Sequence, residues 1–138
     1  MSTIALSNGV RLSPRKVSVV AALVRGRSVT DAITILEHTP RRAAAEVKDT
    51  IKSARANAEH NDNYKPDTLF ISEISVTPGQ RFKRYRKGRG YRGGMDSYQL
   101  KTANIRVVVD GEKRVAKKPV KQAQDEPAAK SSKKEGRE

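Results

Sequence analysis

A short segment in the second half of the chain combines positive charge, aromatic rings and glycine. Seven of the twelve residues from Arg81 to Arg92 are basic, and none is acidic. Four of the six aromatic residues of the chain (Phe82, Tyr85, Tyr91 and Tyr98) and four of its nine glycines lie in or directly after this segment. Cations pair with phosphates, aromatic rings stack on unpaired bases, and glycine lets a backbone approach closely. The composition therefore favours a nucleic-acid contact over a solvated charged loop.

Residues suited to catalysis or metal binding are scarce by comparison. The chain has no cysteine and two histidines, His38 and His60, which fall near predicted helix C-termini, where a cation is favoured. No carboxylate pair stands out, and neither a Walker A loop nor a dinucleotide fingerprint is present. A nuclease or an RNA-modifying enzyme would need such a cluster. We expect no enzyme activity, no metal and no cofactor.

Charge and hydropathy also indicate where the domain ends and in which compartment the protein is located. Residues 1–109 hold 20 basic and 9 acidic residues, and residues 110–138 hold 9 basic and 6 acidic residues with no aromatic ring. The second block buries too little apolar surface to offset the entropy of ordering, so we expect residues 110–138 to be a disordered charged tail. No apolar run approaches the ~20 residues of a membrane span, and the first nine residues are too short and weakly apolar for a signal peptide. We expect a cytoplasmic protein without a membrane span.

Capping and periodicity predict three helices. Ser13-Pro14 begins the first helix, which ends at Gly26. Ser28 begins the second in a capping box that has Asp31 in place of Glu or Gln. Thr39-Pro40 begins the third and longest, which continues to about His60 and carries an apolar stripe at Ala44, Val47, Ile51, Ala54 and Ala58.

Apolar alternation predicts three strands and one long hairpin. The strands are a short one at 10–12, one at 69–76 with a possible bulge at 71–74, and one at 102–109. The last two and the basic stretch between them form a hairpin with an extension at about 77–103, whose arms of about a dozen residues reach roughly 40 Å. We expect this ribbon to have no apolar face and to depend on its ligand for a fixed shape.

Several blocks in a fixed order carry a family resemblance. They are residues 10–17, 23–29, 32–44, 51–61 and, after the basic hairpin, 105–109. Together they resemble bacterial large-subunit ribosomal protein twenty-two, over about residues 7–109. The resemblance implies an α+β fold in which three helices pack on a small three-stranded antiparallel sheet, with a long protruding basic β-hairpin.

The resemblance also implies a function and partners. The chain would be a structural constituent of the large ribosomal subunit that binds 23S rRNA, aids its assembly and lines the nascent-peptide exit tunnel with its hairpin. Its partners would be large-subunit rRNA, neighbouring ribosomal proteins and the nascent peptide, with no obligate homo-oligomer. Residues 13–16 and 25–27 match body segments that face rRNA, residues 82–85 match the part of the hairpin near the tunnel constriction, and Lys101-Thr102 matches the returning arm.

Site residues follow from charge, aromatic clustering and this match. The predicted RNA-binding residues are Arg11, Arg15, Lys16, Arg25, Arg27, Arg41, Arg42, Arg81, Lys83, Arg84, Arg86, Lys87, Arg89, Arg92, Lys101 and Arg106. The predicted stacking and tunnel residues of the hairpin are Phe82, Tyr85, Gly88, Gly90, Tyr91 and Gly93.

The hairpin tip departs from the family pattern and leaves an alternative open. Residues 86–94 lack the usual proline and are richer in glycine, and residues 100–104 replace a Lys-Arg-Thr-Ser-His sequence. An architectural DNA-binding protein with a basic β-arm is the alternative. Such arms insert an apolar wedge between base pairs, and the tip offers only Tyr91 for this role.

Overall fold

A three-stranded antiparallel sheet organises the chain. The computed structural model describes residues 2–88 and 94–113. Strands β1 (Thr3–Val10), β2 (Phe70–Lys87) and β3 (Met95–Asp110) are arranged with β3 in the middle, paired with both neighbours. The outer halves of β2 and β3 continue beyond β1 as a two-stranded hairpin, as predicted.

Three helices accompany the sheet, and the predicted α+β architecture is confirmed. Helices α1 (Pro14–Val24) and α3 (Arg42–His60) contact the sheet, and α2 (Val29–His38) packs on α3. A short 3₁₀ turn, Pro66–Thr68, precedes β2. No helix in the described ranges is long and apolar enough to cross a membrane.

The core lies between the sheet and the helices. On β3 the residues at odd positions, Ala103, Ile105, Val107 and Val109, are fully buried, because alternate side chains of a strand share one face. The predicted stripe of α3 is also confirmed, since Ala44, Val47, Ile51, Ala54 and Ala58 are all buried. Its three alanines let α3 approach its neighbours closely.

The first two helices begin where capping chemistry predicts. Ser13 precedes α1 and Pro14 occupies its first turn, although the Ser13 hydroxyl makes no capping hydrogen bond. The Ser28 hydroxyl accepts the Asp31 N–H at 3.1 Å and caps α2. Gly26 follows α1 with a φ of +73°, in the left-handed region that glycine adopts without strain.

The predicted start of α3 is wrong by two to three residues. The helix begins at Arg42 and not at Thr39-Pro40. The Thr39 hydroxyl donates to the Ile35 carbonyl at 2.7 Å, and the Thr39 carbonyl accepts the Arg41 N–H at 2.7 Å. Because Thr39 closes α2, its hydroxyl is not available to cap α3.

The predicted first strand is also misplaced. It spans Thr3–Val10, and residues 11 and 12 lie beyond its end. The side chains that β1 turns toward the helices include the small residues Thr3 and Ala5, which are buried. Small buried residues give only a weak alternation of hydrophobicity, and this is why the strand is inconspicuous in the sequence.

Two bulges shape β2, and the first is the predicted one. The pairing of β2 with β3 shifts between Ile71 and Glu73 and again between Pro78 and Arg81. At the second bulge the Thr102 hydroxyl donates to the Gln80 carbonyl at 2.6 Å. The Asn104 amide oxygen accepts the Gly9 N–H at 2.9 Å, and this bond links β1 to the same region. The base of the hairpin is thus joined to all three strands.

Tyr64 closes the opposite end of the body. Its side chain is buried, its N–H donates to the Ala58 carbonyl at 3.0 Å, and Lys113 Nζ lies 5.8 Å from the ring centroid. Burial raises the pKa of the Tyr64 phenol, and the carboxylates of Asp110 and Asp62 raise it further. The phenol therefore stays protonated to a higher pH than an exposed tyrosine does.

The close packing of α3 predicts a large penalty for a bulkier side chain. Ala54 is fully buried, so Ala54→Leu should lower the free energy of unfolding by about 1–3 kcal/mol through overpacking. Ala56 is exposed on the same helix, so Ala56→Leu should change it by less than about 0.5 kcal/mol. Urea denaturation followed by circular dichroism measures both variants. Equal effects would contradict the packing of this stripe.

The close packing at the base of the hairpin predicts that an added side chain lowers local stability. A Cβ atom added at Gly79 would lie 2.6 Å from Thr102 Oγ1 and 2.9 Å from Asn104 Oδ1. Gly79→Ala should displace both side chains and lower local stability by about 1 kcal/mol, because their hydrogen bonds to Gln80 and Gly9 are lost.

Amide hydrogen exchange measured by NMR reports this change. The amides around residues 79–81 and 102–104 should exchange faster in Gly79→Ala. An added Cβ at Gly94 meets nothing within 4 Å, so Gly94→Ala is the matched control and should leave these amides unchanged. Unaltered exchange in Gly79→Ala would contradict the close approach of the strands.

Candidate nucleic-acid interface

The hairpin extends from the body as an exposed ribbon. Its paired residues run from Pro78 and Ala103 at the base to Lys87 and Met95 near the tip, a length of about 30 Å at ~3.3 Å per residue. Every residue from Arg81 to Lys87 and from Met95 to Lys101 is exposed. Both faces and both arms of the ribbon are therefore accessible to a ligand.

One face of the ribbon carries only positive charge. Directly paired residues of antiparallel strands share a face, so the pairing of Arg81 with Lys101 and of Lys83 with Gln99 places these side chains together. The pairs Tyr85–Ser97 and Lys87–Met95 continue this face. We call the face formed by these eight residues the basic face. It contains four cations and no acid.

Lys83 and Tyr85 form a contact along the basic face. Lys83 Nζ lies 5.3 Å from the centroid of the Tyr85 ring, within range of a cation–π interaction, while the ring is 57% exposed. The ammonium and the ring thus remain available together, one for a phosphate and the other for stacking.

The other face of the ribbon carries a cluster of three apolar or aromatic side chains next to charged ones, whereas the sequence predicted a ribbon with no apolar face. Phe82 pairs with Leu100, and Arg84 pairs with Tyr98. Arg86 and Asp96 follow toward the tip. We call these six residues the aromatic face. Phe82, Leu100 and Tyr98 are each close to half exposed, so their apolar surface is only partly covered.

Sequence reasoning predicted the hairpin but missed this face because it did not assign the pairing of one arm with the other. Leu100 and Tyr98 acquire a role only when paired with Phe82 and Arg84. The alternation of Phe82, Arg84 and Arg86 against the intervening residues was the available signal. The positions of Gly79, Thr102 and Asn104 at the base were missed in the same way, because the second bulge has no distinctive sequence pattern.

The basic face continues onto the body at α1. Arg15, Arg81 and Lys101 line one pocket together with Ser13, Pro14 and Pro78. On the opposite side, Arg11 lines a pocket with Arg84, Phe82 and Leu100. Arg15 and Lys16 in the first turn of α1 oppose the helix dipole, so a bound anion at this position would be favoured. The structure thus brings the predicted residues Arg11 and Arg15 together with the hairpin, and Lys16 lines neither pocket.

Other predicted residues lie away from the hairpin. Arg25 Nη2 donates to the Ile74 carbonyl at 3.2 Å, and Arg27 Nε donates to the Leu23 carbonyl at 3.0 Å, beside the part of β2 within the body. Both side chains are nevertheless exposed. They form a second positive region, separated from the basic face by the length of α1.

The remaining predicted cations occupy two further positions. Arg41 and Arg42 are exposed at the start of α3. Arg106 is exposed on the sheet face that turns away from the helices, between Leu6 of β1 and Ser75 of β2. Arg106 therefore does not share a face with Lys101 and Lys83.

Part of the predicted site lies at the hairpin tip. The Gly88 N–H donates to the Gly94 carbonyl at 2.7 Å and ends the described ladder. Arg89, Gly90, Tyr91, Arg92 and Gly93 lie outside the described residues, as do residues 114–138 of the predicted tail.

Catalytic and metal-binding groups are not gathered at any point within residues 2–88 and 94–113. No group of three His, Asp or Glu side chains in these ranges could hold a metal ion. His38 and His60 are exposed at the ends of α2 and α3, as predicted. What the geometry offers is binding chemistry: fixed cations for phosphates and partly exposed rings for bases.

Comparison with known proteins gives a consistent family. The family model described as "Ribosomal protein L22p/L17e" matches residues 5–110. The protein named "Large ribosomal subunit protein uL22" from Herpetosiphon aurantiacus is 42% identical over 113 residues, which are 80% of this chain and 96% of that protein. The protein of the same name from Oceanobacillus iheyensis is 42% identical over 82% of this chain and 98% of its own length. The one from Desulfitobacterium hafniense is 44% identical over 105 residues, 76% of this chain and 90% of its own. With this match across the sheet, the helices and the hairpin, the chain belongs to the ribosomal protein L22p/L17e family.

Proposed function

We propose that this chain binds large-subunit (23S) rRNA, aids its assembly and lines the nascent-peptide exit tunnel with its hairpin. Its family membership assigns the general role. Members of this family are structural, non-enzymatic constituents of the large ribosomal subunit and act in translation. Its partners in that role are rRNA and neighbouring ribosomal proteins, and the nascent peptide is a proposed further contact. The cytoplasm is where this role is carried out.

The basic face is the observation that carries the proposal. Four cations lie on one side of a narrow ribbon with no acid among them, and Arg15 extends the set onto the body. Like charges on one exposed face repel one another, and a bound polyanion relieves this repulsion. RNA phosphates fit this requirement, and the counterions that they release supply much of the affinity.

The aromatic face supports RNA over duplex DNA as the ligand. Phe82 and Tyr98 are partly exposed and flanked by Arg84 and Arg86. Rings and guanidinium planes stack on unpaired bases, which folded rRNA offers at loops and bulges. A regular duplex keeps its bases stacked inside and offers these side chains little.

The shape of the hairpin supports the tunnel role. A two-stranded ribbon about 30 Å long can pass between RNA helices where a globular domain cannot. An isolated ribbon is marginally stable in water, so RNA on both faces would fix its conformation. The tip would then reach the tunnel wall while the body stays at the subunit surface.

We also propose that residues 1–109 form the rRNA-binding domain. In this division the predicted RNA-binding and stacking residues all fall within the domain. The lysines of residues 110–138 would add attraction to a polyanion without specifying one.

Neutralising the basic face should weaken RNA binding in a salt-dependent manner. Lys83→Gln/Lys101→Gln should reduce the slope of log affinity against log salt by about 0.7–0.9 per lost phosphate contact. Filter binding of the full-length chain to 23S rRNA over a salt series measures the slope. Lys48→Gln/Lys52→Gln on α3 removes the same charge away from the hairpin and should leave the slope unchanged. Equal slopes in both variants would refute the interface.

The same assay separates the two nucleic-acid hypotheses. At matched salt, the chain should bind 23S rRNA more tightly than duplex DNA of the same length. Preference for the duplex would instead support an architectural DNA-binding protein with a basic arm.

Shortening the hairpin should affect the tunnel and not the body. Deleting residues 83–86 together with their partners 96–99 removes about 13 Å of ribbon, and the even number keeps the remaining side chains on their own faces. The variant should still fold, since none of these residues is buried, and should still sediment with large subunits. Chemical probing of rRNA should show lost protection at the tunnel wall. Unchanged tunnel footprints, or an unfolded body, would contradict the tunnel assignment.

A further inference from the structure

The rest of the chain covers one outer edge of the sheet and leaves the other uncovered within the described residues. The connection between α1 and α2 covers the outer edge of β2 through three main-chain hydrogen bonds. The Gly26 N–H donates to the Ile71 carbonyl at 3.2 Å, and the Ile71 N–H donates to the Arg27 carbonyl at 2.9 Å. The Val29 N–H donates to the Leu69 carbonyl at 3.0 Å. Within the described part of the chain, no strand or loop covers the outer edge of β1 in this way.

The free edge of β1 can be assigned to particular main-chain groups. The side-chain amide of Asn57 donates to the Ile4 carbonyl at 3.4 Å, so Ile4 directs its main-chain groups away from β3. Residues two apart in a strand point the same way, so Leu6 does likewise. No hydrogen bond from elsewhere in the described ranges reaches the main chain of Leu6.

The sequence of β1 lacks the usual protection of an exposed edge. Edge strands commonly carry charged residues or proline, which oppose pairing with another chain. Residues 2–8, STIALSN, contain neither, in a chain with 32% charged residues. Ile4 and Leu6 are 42% and 64% exposed on the sheet face opposite the helices. The edge is therefore open, uncharged and apolar.

The side of α3 that meets this edge carries two carboxylates. Glu46, Asp49 and Ser53 of α3 line a shallow pocket together with Leu6 and Ser7, and no cation from the described residues lines this pocket. The cations of α3 are Arg42, one helical turn before Glu46, and Lys48, Lys52 and Arg55, so the negative charge is local to the pocket. On a chain with a net charge of +14, this combination marks a surface that disfavours RNA phosphates and attracts positive groups.

We propose that the outer edge of β1 accepts an extended segment of another protein as a fourth strand of the sheet. Main-chain hydrogen bonds to the Ile4 N–H and to the N–H and carbonyl of Leu6 would supply affinity, and side-chain contacts would supply specificity. Because strand side chains alternate, the segment carries Lys or Arg residues toward Glu46 and Asp49. Its apolar residues lie on Ile4 and Leu6.

Three other occupants fit this edge less well. A second copy of this chain paired through β1 would bring two sets of Glu46 and Asp49 together. The chain's own residues 114–138 have two β-branched residues, Val115 and Val120, and Pro119 between them lacks the N–H that a ladder needs. Ribosomal RNA would meet both carboxylates, although Arg106 lies behind Leu6 on the open face.

A photochemical cross-link from the edge tests the proposal. The full-length chain with Leu6→p-benzoylphenylalanine is incorporated into large ribosomal subunits, which are purified and irradiated, and the cross-linked product is identified by mass spectrometry. We expect a cross-link to a protein segment in which basic and apolar residues alternate. A product with rRNA, with a second copy or with residues 114–138, and the absence of any product, would each overturn the proposal.

The charge requirement is tested in the same subunits. Glu46→Lys/Asp49→Lys should lower the yield of the cross-link by at least about threefold, because two attractive contacts become repulsive. Glu37→Lys/Asp67→Lys makes the same change in net charge at exposed acids elsewhere and should leave the yield unchanged. Equal yields would overturn the basic character of the partner. Co-sedimentation of each variant with large subunits is scored separately, so that a defect in rRNA binding is distinguishable from loss of the partner.

Discussion

The structure depends on the pairing of a single strand, β3, with both of its neighbours. Its inner half is buried between β1 and β2, and its outer half forms one arm of the hairpin. No bulge interrupts β3, so the alternation set by Ile105 and Val107 in the core continues outward to Lys101 and Gln99. The side of the sheet that faces the helices therefore becomes the basic face. Burial of the inner half of β3 thus sets the direction of the side chains on its outer half, far from the core.

This shared strand divides the surface into regions of distinct chemistry. By strand alternation the helix side of the sheet leads to Lys101, which shares a pocket with Arg15, whereas the opposite side leads to Leu100 and Tyr98. The far edge of the sheet, at β1, has neither kind of residue and lies beside carboxylates of α3. The proposed RNA ligand of the ribbon and the proposed protein partner of β1 would therefore contact different surfaces of the chain. The order of the strands and the alternation of their side chains separate these surface regions within a single domain.

The sequence predicted features that rest on strong local chemistry. The capping serine at 28, the alanine-rich stripe of α3 and the bulge after Ile71 follow from short patterns, and each is present. The predictions failed where a residue's role depends on distant partners. Thr39 has the form of a cap for α3, but its hydroxyl bonds to Ile35 of the preceding helix. The aromatic face was missed because Phe82 and Leu100 are 18 positions apart and meet only through the register of the hairpin.

The two-residue repeat of the ribbon restricts how the chain can vary in length during evolution. Unless a bulge absorbs it, as between Pro78 and Arg81, inserting or deleting one residue in one arm would turn every side chain of that arm beyond that point to the opposite face. Cations from the basic face would then lie among the rings of the other face. Length changes that keep both faces intact must therefore come in pairs of residues matched between the arms, form a bulge, or be confined to the tip. Descendants of this chain should therefore differ freely at the tip while the arms keep their parity.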